Sequence, residues 1–271
     1  MDKKVIVITG ASSGIGKATA MYFAEKGWQV AATMRNIQAG KELTEFENIK
    51  LFELDVTKQT TIDQAYEEIL KTYGRIDVLL NNAGYALSGP FEYYTEEQFQ
   101  RQFDVNVFGV FRTTQTFVKH FRENKKGILM FVTSMGGKIT FPVVSTYHST
   151  KYAVEGFAES LSYEVNEFNT SIKIIEPGTI NTDFGGRSMD FASVDENNPY
   201  MPYISHFSHM TSENTGIDPV NVAEVIYQAA TDNSSQMRYT VGEDAEQLIG
   251  YRQESGDEAY VKMMTDRFKL Q

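Results

Sequence analysis

Tyr147 and Lys151 are four residues apart in the segment Tyr147-His-Ser-Thr-Lys151. If that segment is helical, the phenol and the ammonium project from the same face, one turn apart. A tyrosine ordinarily titrates near pH ~10, and a nearby cation favours its ionised form. The pair therefore predicts a proton donor and acceptor whose pKa is lowered toward neutrality. Because this spacing also occurs by chance in many helices, its meaning depends on the elements around it.

The composition excludes several classes of protein. The 271 residues suit one large domain or two small ones, with ordinary hydrophobic and charged fractions of 41% and 23%. A net charge of −11 gives no basic footprint for a nucleic acid. The longest apolar run, residues 128–132, is far too short for a membrane span. The absence of cysteine excludes disulfides and zinc–cysteine sites and fits a cytoplasmic location.

Short apolar runs alternate with helical patterns along most of the chain. Apolar residues recur at helical spacing from Ile15 to Gly27, from Ile62 to Gly74, through 107–121 and through 153–168. The runs between them are nearly all apolar, which is typical of a parallel sheet covered by helices on both faces. The predicted fold is therefore α/β, a doubly wound parallel sheet in a single domain. Its strands are Val5–Ile8, Trp28–Thr33, Ile49–Leu54, Val78–Leu80, Ile128–Thr133 and Ile172–Ile175.

Two helix starts and one irregular segment complete this pattern. Thr95-Glu-Glu-Gln98 has the sequence of a capping box, and Asp218-Pro219 that of an N-cap followed by proline. Residues 181–216 are irregular and rich in Met, Phe, Tyr and Pro. Loops of that length are lids or binding elements, or else poorly ordered. We expect a substrate lid here.

A glycine-rich turn, Thr9-Gly-Ala-Ser-Ser-Gly-Ile-Gly16, lies between the first strand and the first helix. Glycine there lets the backbone approach a pyrophosphate, and the helix N-terminus offers free N–H groups and a positive dipole end. Within a strand–helix–strand pattern the turn predicts a dinucleotide site. The alternative is a tight turn without a ligand.

The end of the second strand indicates which dinucleotide binds. A carboxylate there holds the ribose hydroxyl of NAD, whereas a nearby arginine suits the 2′-phosphate of NADP. The chain has Arg35 at this place and no carboxylate, so we expect NADP(H) to be preferred, with NAD(H) possible. Ser13 occupies the position in the turn where a second basic residue would strengthen this prediction. The alternative is that Arg35 is a solvated loop residue.

These motifs resemble the short-chain dehydrogenase/reductase family, in its compact single-domain branch with a Rossmann fold. The resemblance covers residues 4 to about 242, and the Thr-Met-Arg end of the second strand is similar to the steroid/retinol dehydrogenase subgroup. The matching motifs are the turn from Thr9, Asp55-Val56, Asn81-Asn-Ala-Gly84, Asn106, Ser134, Tyr147 with Lys151, and Pro177-Gly178. It implies a domain over residues 1–242 that ends with a strand at Arg238–Val241. Residues 243–271 would be an extension of unknown role.

The resemblance also implies the catalytic residues. Ser134 would bind the substrate oxygen and Tyr147 would be the acid/base. Lys151 would hold the nicotinamide ribose and lower the pKa of the tyrosine. Asn106 would support a water that links Lys151 to solvent.

It further implies the cofactor contacts. Asp55 would bind the adenine with Val56 packed beside it, and residues 82–84 would line the adenosine ribose. Ile180 and Thr182 would touch the nicotinamide carboxamide. The predicted cofactor-binding set is Gly10, Ser12, Ser13, Gly14, Ile15, Gly16, Arg35, Asp55, Val56, Asn82, Ala83, Gly84, Tyr147, Lys151, Pro177, Gly178, Ile180 and Thr182.

The chemistry of carbonyl reduction agrees with these roles. A cofactor carries the hydride, and the protein supplies position, a proton and electrostatic stabilisation. A phenol of lowered pKa can give and take that proton, and a serine hydroxyl can stabilise the charge that develops on the same oxygen. No metal is required. The histidines, His120, His148, His206 and His209, are expected to be structural or solvent-facing.

The substrate is expected to be a small, hydrophobic ketone, aldehyde or secondary alcohol, because apolar and methionine-rich pockets favour such ligands. The alternative is that the same residues pack the lid onto the core or form a subunit contact. The candidate wall residues are Phe141, Pro142, Val143, Phe184, Met189, Phe191, Tyr200, Met201, Tyr203, Ile204, Phe207 and Met210.

Two other functions compete with an oxidoreductase. A catalytically silent dinucleotide sensor on the same fold would lack the tyrosine or the lysine, and this chain has both. A nucleotide-sugar epimerase would be expected to have a longer chain than this one, with a separate substrate domain. The resemblance also implies a homodimer or homotetramer, assembled through the helices at about 107–122 and 152–168.

Overall fold

A parallel sheet is the centre of the computed structural model, which describes residues 3–182, 188–212 and 216–269. The strands are β1 Val5–Thr9, β2 Gln29–Met34, β3 Ile49–Glu53, β4 Val78–Asn81, β5 Ala86–Ser88, β6 Gly127–Val132, β7 Thr170–Pro177, β8 Met189–Phe191 and β9 Arg238–Val241. In the part of the chain so described, seven of them form one sheet in the order β3-β2-β1-β4-β6-β7-β9, and every pairing is parallel. The predicted doubly wound sheet is confirmed.

Helices cover both faces of this sheet. The described α-helices are α1 Gly14–Glu25, α2 Gln59–Tyr73, α3 Glu96–Phe103, α4 Gly109–Asn124, α5 Ser145–Val165, α6 Met201–Ser212, α7 Pro219–Thr231, α8 Glu243–Ser255 and α9 Asp257–Phe268, and five of them pack on the sheet. One face packs against α1 and α7, where Phe23, Trp28 and Tyr227 meet edge to face. The other packs against α2, α4 and α5. Burial on both faces explains why the central strands are apolar throughout.

The sequence signals for helix ends act as predicted. Thr95 accepts a hydrogen bond from the Gln98 N–H, and the Gln98 side chain accepts one from the Thr95 N–H, which completes the capping box. Asp218 caps α7 through the Val220 N–H, with Pro219 in the first turn. α5 includes the segment of Tyr147 and Lys151, so their helical spacing is also as predicted.

The structure differs from the predicted elements in several places, among them the helix α6, which lies inside the segment 181–216 that was expected to be irregular. The helix expected through 107–121 is preceded by a turn with π-helical hydrogen bonding, Asp104–Phe108. Ala86–Ser88 and Met189–Phe191, which no pattern marked as strands, pair in parallel as a second, small sheet. The pairing of β5 with β8 joins segments that are far apart in the chain, so local sequence patterns could not predict it.

The lid and the chain after residue 242 pack together. The second half of the lid is α6, and its Tyr203 and Phe207 pack on a core cluster with Ile249, Tyr260 and Phe268 of α8 and α9. The domain boundary at residue 242 and the separate role of 243–271 stay predictions. Residues 183–187, which include Phe184 of the predicted substrate wall, and residues 213–215 lie outside the described residues. Among the described helices, none has the length and hydropathy needed to cross a membrane.

Candidate active site

A cavity of about 620 Å³ opens at the carboxyl edge of the main sheet. Such an edge is where ligands bind in open α/β sheets. Nearly all the predicted site residues line it: Gly10, Ser12, Ser13, Gly14, Ile15, Arg35, Asp55, Val56, Asn82, Ala83, Gly84, Ser134, Tyr147, Lys151, Pro177, Gly178, Ile180 and Thr182. Gly16 and Asn106 are the predicted residues that do not reach the surface of the cavity.

The glycine turn lies close against the segment that follows β4. Gly10 has a φ of +68°, and a Cβ there would lie 2.9 Å from the Ala83 Cα. A Cβ on Gly16 would lie 2.4 Å from the Gly10 carbonyl oxygen and 2.5 Å from the Asn82 Nδ2. The Thr9 hydroxyl accepts hydrogen bonds from the backbone N–H groups of Asn82 and Ala83. Gly16 therefore allows the turn to pack closely against Gly10 and Asn82, and it does not face the cavity.

The N-terminus of α1 has the features that an anionic ligand needs. Ser13 is the N-cap, but its side chain makes no capping hydrogen bond, and the first turn contains no acidic residue. Gly14, at the first position, has a φ of +53°, which favours glycine. The backbone N–H groups and the helix dipole are thus available to a pyrophosphate, and the residues present fit a dinucleotide.

Arg35 and Asp55 lie at the edges of the cavity next to β2 and β3. Arg35 is exposed and has no ion-pair partner in the described ranges, whereas the nearby Lys17 is bound to Glu42 at 2.6 Å. Asp55 uses its Oδ1 to accept from the N–H and the hydroxyl of Thr57. Arg35 therefore retains its donors for a ligand phosphate.

Ser134, Tyr147 and Lys151 come together where β6 and α5 meet. Burial raises the pKa of Tyr147 to about 12, and a hydrogen bond with the Ser134 side chain opposes that rise. Burial lowers the pKa of Lys151 to about 8, while the charge of Glu155 raises it. The Lys151 Nζ donates to the Val132 carbonyl at 3.0 Å and lies 5.6 Å from the centre of the Tyr147 ring.

The predicted lowering of the Tyr147 pKa is wrong for this structure, because desolvation of the buried phenol outweighs its neighbours. The sequence shows that a cation lies nearby but not how deeply the phenol is buried. At neutral pH the hydroxyl is protonated, so it is ready to donate a proton to a bound oxygen.

Asn106 is buried in the π-helical turn and holds the segment after Gly84. Its Nδ2 donates to the Tyr85 carbonyl at 2.8 Å and to the Thr150 hydroxyl at 3.2 Å, and its Oδ1 accepts from the Tyr85 N–H. A Cβ on Gly84 would lie 3.3 Å from the Asn106 Oδ1 and 3.9 Å from the Lys151 Nζ. π-helical turns are frequent at functional sites, and this one places an amide against Gly84 and Thr150, the residue before Lys151.

His148 fixes the loop between Ser134 and Tyr147. Its Nε2 accepts from the Phe141 N–H at 2.8 Å, so in the neutral ring Nδ1 carries the hydrogen and donates to the Gly136 carbonyl at 2.8 Å. Burial lowers its pKa, which keeps the ring neutral. This agrees with the expectation that the histidine is structural. The described residues contain no cluster of three acidic or histidine side chains suited to a metal.

The substrate end of the cavity differs from the prediction. Of the expected apolar wall, Met189 lines the cavity, while Phe141, Tyr203 and Phe207 pack on the cluster with α8 and α9. The alternative, in which lid residues pack onto the core, therefore holds for Tyr203 and Phe207, and Phe141 packs on the same cluster from the loop before Tyr147. The side chain of Met210 lies outside the described residues.

Several residues that line this end carried no assignment from the sequence: Tyr85, Arg101, Val105, Ser188 and Asp190. The Arg101 guanidinium lies 5.1 Å from the centre of the Tyr85 ring and 3.7 Å from the Asp190 Oδ2. Burial raises the pKa of Tyr85. Tyr85 and Val105 adjoin Gly84 and Asn106, which was a usable signal, whereas Asp190 had none.

The fold and site define a nucleotide-binding oxidoreductase. Residues 4–191 match the short chain dehydrogenase family. The chain is 35% identical over 265 residues to the oxidoreductase YusZ of Bacillus subtilis, covering 93% of this chain and 94% of that one. It is 36% identical over 184 residues to 3-ketodihydrosphingosine reductase of Bacteroides thetaiotaomicron, covering 68% and 66%.

Solved structures agree. A short-chain dehydrogenase from Streptomyces avermitilis superposes with a TM-score of 0.86 at 31% identity, covering 99% of this chain and 97% of that one. An alcohol dehydrogenase from Thermococcus sibiricus, complexed with 5-hydroxy-NADP, gives 0.74 at 25% identity, covering 88% and 96%. The chain belongs to the short-chain dehydrogenase family and is an oxidoreductase that acts on CH–OH groups.

Proposed function

We propose that the chain is an NADP(H)-dependent oxidoreductase that interconverts a carbonyl and an alcohol on a small-molecule substrate, with Tyr147 as general acid/base. The observation that carries this proposal is a single cavity lined by the glycine turn and Arg35 as well as by Ser134, Tyr147 and Lys151. A nucleotide bound along the glycine turn would extend toward the buried phenol.

The proton chemistry follows from the protein's own groups. The bound nicotinamide supplies or accepts the hydride. In reduction, the Tyr147 hydroxyl donates its proton to the substrate oxygen, and the Ser134 hydroxyl donates a hydrogen bond to that oxygen as its negative charge grows. The tyrosinate that remains is stabilised by the Lys151 ammonium. In oxidation the same proton returns to Tyr147.

The preference for NADP(H) is supported by Arg35, which lines the cavity and has no carboxylate partner in the portion of the chain that is described. The Thermococcus sibiricus relative was solved with an NADP derivative. Arg35→Asp should weaken NADPH binding and leave or improve NADH binding, measured by titration of each nucleotide. Lys41→Asp, which makes the same change of charge at an exposed position, should leave both affinities unchanged. Tighter binding of NADH than of NADPH by the wild type would contradict this preference.

A hydrophobic body for the substrate is supported by Met189 and Val105 at the far end of the cavity. The name of the Bacteroides relative gives a keto compound, 3-ketodihydrosphingosine, as the substrate of that protein. Arg101 and Asp190 add polar groups at the same end. A panel of ketones, aldehydes and alcohols that differ in chain length and charge, read by nucleotide absorbance with both cofactors, tests this part of the proposal.

Tyr147→Phe tests the function itself. Removing the hydroxyl should reduce turnover by about 10²–10⁴-fold, because the proton donor is lost, while nucleotide binding persists. Lys151→Ala should weaken nucleotide binding and turnover together. A catalytically silent sensor predicts binding without turnover on any substrate, and turnover by Tyr147→Phe at the wild-type rate would remove this residue from the mechanism.

Assembly and location stay predictions. We propose a homodimer or homotetramer through α4 and α5, where Phe108, just before α4, and Tyr163 of α5 are exposed. Light scattering of the wild type and of Tyr163→Glu tests this assembly. The cytoplasmic location is an expectation from the sequence alone.

A further inference from the structure

A buried carboxylate lies one helical turn beyond Lys151. Glu155 is 5% exposed and is held by two donors. Its Oε1 accepts from the Thr133 hydroxyl at 2.7 Å, and its Oε2 accepts from the Arg238 Nε at 3.1 Å. A buried carboxylate with this many fixed partners has one orientation, and its charge cannot be screened by water.

Glu155 and Lys151 are anchored on neighbouring residues of the sheet. The Lys151 Nζ donates a hydrogen bond to the carbonyl of Val132. The hydroxyl of the next residue, Thr133, donates a hydrogen bond to Glu155. The turn after Ser134 closes over both, because a Cβ on Gly137 would lie 2.9 Å from the Glu155 Cγ and 3.3 Å from the Lys151 carbonyl oxygen. The ammonium and the carboxylate are therefore fixed relative to each other by β6, by α5 and by this turn.

We propose that Glu155 is a positioning residue for Lys151. The Glu155 carboxylate supplies the buried negative charge that keeps the Lys151 ammonium protonated inside the site. The inference rests on the proposed function, in which that ammonium stabilises the Tyr147 oxygen. Burial lowers the pKa of Lys151 to about 8 even with Glu155 raising it, so without this carboxylate the lysine would lose its proton nearer to neutral pH.

Other charged groups surround Glu155 from three further elements. Arg238 of β9 contacts Glu155, Glu159 of α5 and Glu176 of β7. Burial and the charge of Glu155 raise the pKa of Glu176, while Lys138, from the turn after Ser134, lowers it. Arg238 thus offsets part of the acidic charge, and Glu155 is the carboxylate that acts on the charge of Lys151.

The chain offers a matched control for this role. Glu159 is on the same helix and binds the same arginine, but its side chain is 48% exposed and it lies one helical turn further from Lys151 than Glu155 does. Glu155→Gln and Glu159→Gln therefore remove one carboxylate each from Arg238, and only the first removes the charge behind Lys151.

The experiment measures Lys151 directly. Selectively labelled lysine is titrated by NMR, with the Lys151 signal assigned by Lys151→Arg, and the pH profile of kcat/KM is recorded alongside. In Glu155→Gln the Lys151 titration and the alkaline limb should both move down by about one pH unit. Glu159→Gln should match the wild type. Thr133→Val, which removes the anchor of Glu155 but no charge, should give a smaller shift in the same direction.

Two results overturn the inference: an unchanged Lys151 titration in Glu155→Gln, or an equal shift in Glu159→Gln. If Glu155→Gln does not fold, Thr133→Val decides, and an unchanged titration in that variant is equally decisive. The NMR titration does not depend on turnover. Failure of the proposed function, seen as full activity in Lys151→Ala, is therefore distinguishable from failure of Glu155 to act on the lysine.

Discussion

The two ends of the cavity are built from different parts of the chain. The nucleotide end consists of segments that each follow a strand of the main sheet directly, such as Gly10–Gly16 after β1 and residues 82–84 after β4. The substrate end consists of β8, α3 and the residue after Gly84, and β8 pairs only with the short β5 among the described strands.

This difference in construction predicts that the nucleotide end is rigid and that the substrate end is more adaptable. The nucleotide end is held by the ends of strands that are buried on both faces, so we expect it to be the more rigid of the two. The lid beside the substrate end is anchored on the cluster formed with α8 and α9, which does not include the main sheet. Changes in α8 and α9 should therefore affect the substrate, and changes in the glycine turn should affect the nucleotide.

The largest effect on stability is expected from Phe268→Ala in α9. Phe268 is 3% exposed and its ring lies 5.4 Å from that of Phe207 in α6. Loss of a buried phenyl ring costs about 3–5 kcal/mol, measured by chemical denaturation. Substrate KM should rise because α6 loses its support, while nucleotide affinity is retained. Val261→Ala, on the same helix at 57% exposure, should change neither. An equal loss of nucleotide affinity in Phe268→Ala would mean that the two ends are not separate.

Gly16→Ala is the complementary change at the nucleotide end. The new Cβ meets the Gly10 carbonyl oxygen at 2.4 Å and the half-buried Asn82 amide at 2.5 Å, so the turn must shift. Such overpacking costs about 1–3 kcal/mol, and the displaced turn should bind nucleotide roughly tenfold more weakly by titration. Gly250→Ala in α8 is the control, because a Cβ there meets nothing within 4 Å. Wild-type nucleotide binding by Gly16→Ala would show that the turn tolerates the shift.

The same contrast explains what the sequence could predict. The main sheet and the glycine turn were predictable, because buried parallel strands are continuous apolar runs and the turn lies between a strand and a helix. The pairing of Ala86 with Met189 was not, since three-residue strands carry no periodicity and the two are far apart in the chain. The packing of Phe207 against Phe268 could not be predicted either, because the two residues are far apart in the chain.

The charges of the site also include properties that the sequence could predict and properties that it could not. The spacing of Tyr147 and Lys151 is a local property of a helix, and the structure bears it out. The pKa values depend on burial and on Glu155, whose burial follows from the packing of α5 on the sheet. A pattern of residue types gives the identity of the groups but not the desolvation that each one undergoes.

A smaller effect is expected at His148, which holds the loop between Ser134 and Tyr147. His148→Phe leaves the Phe141 N–H without an acceptor, which should cost about 1–3 kcal/mol at neutral pH. Because burial lowers the pKa of His148, the wild type has this contribution in full above the ordinary histidine pKa of about 6.5 and loses it as the pH falls through the lowered value. The stability difference between the two proteins should therefore narrow on acidification, measured by urea denaturation across this range. His120, whose pKa is also lowered, is present in both and cancels. A difference that widens on acidification would contradict the neutral ring.

The smallest effect is expected from the ion pair at the mouth of the substrate end. Arg101 and Asp190 join α3 to β8, but their side chains are 61% and 35% exposed and the nearest N–O distance is 3.7 Å. A double-mutant cycle of Arg101→Gln and Asp190→Asn should give a coupling energy below about 1 kcal/mol, since solvent screens such a pair. Single variants should alter the KM for charged substrates and leave kcat unchanged, because neither residue lies among the groups that move the proton. A coupling well above that value would mean that the pair clamps the lid shut, and the substrate end would then be as rigid as the nucleotide end.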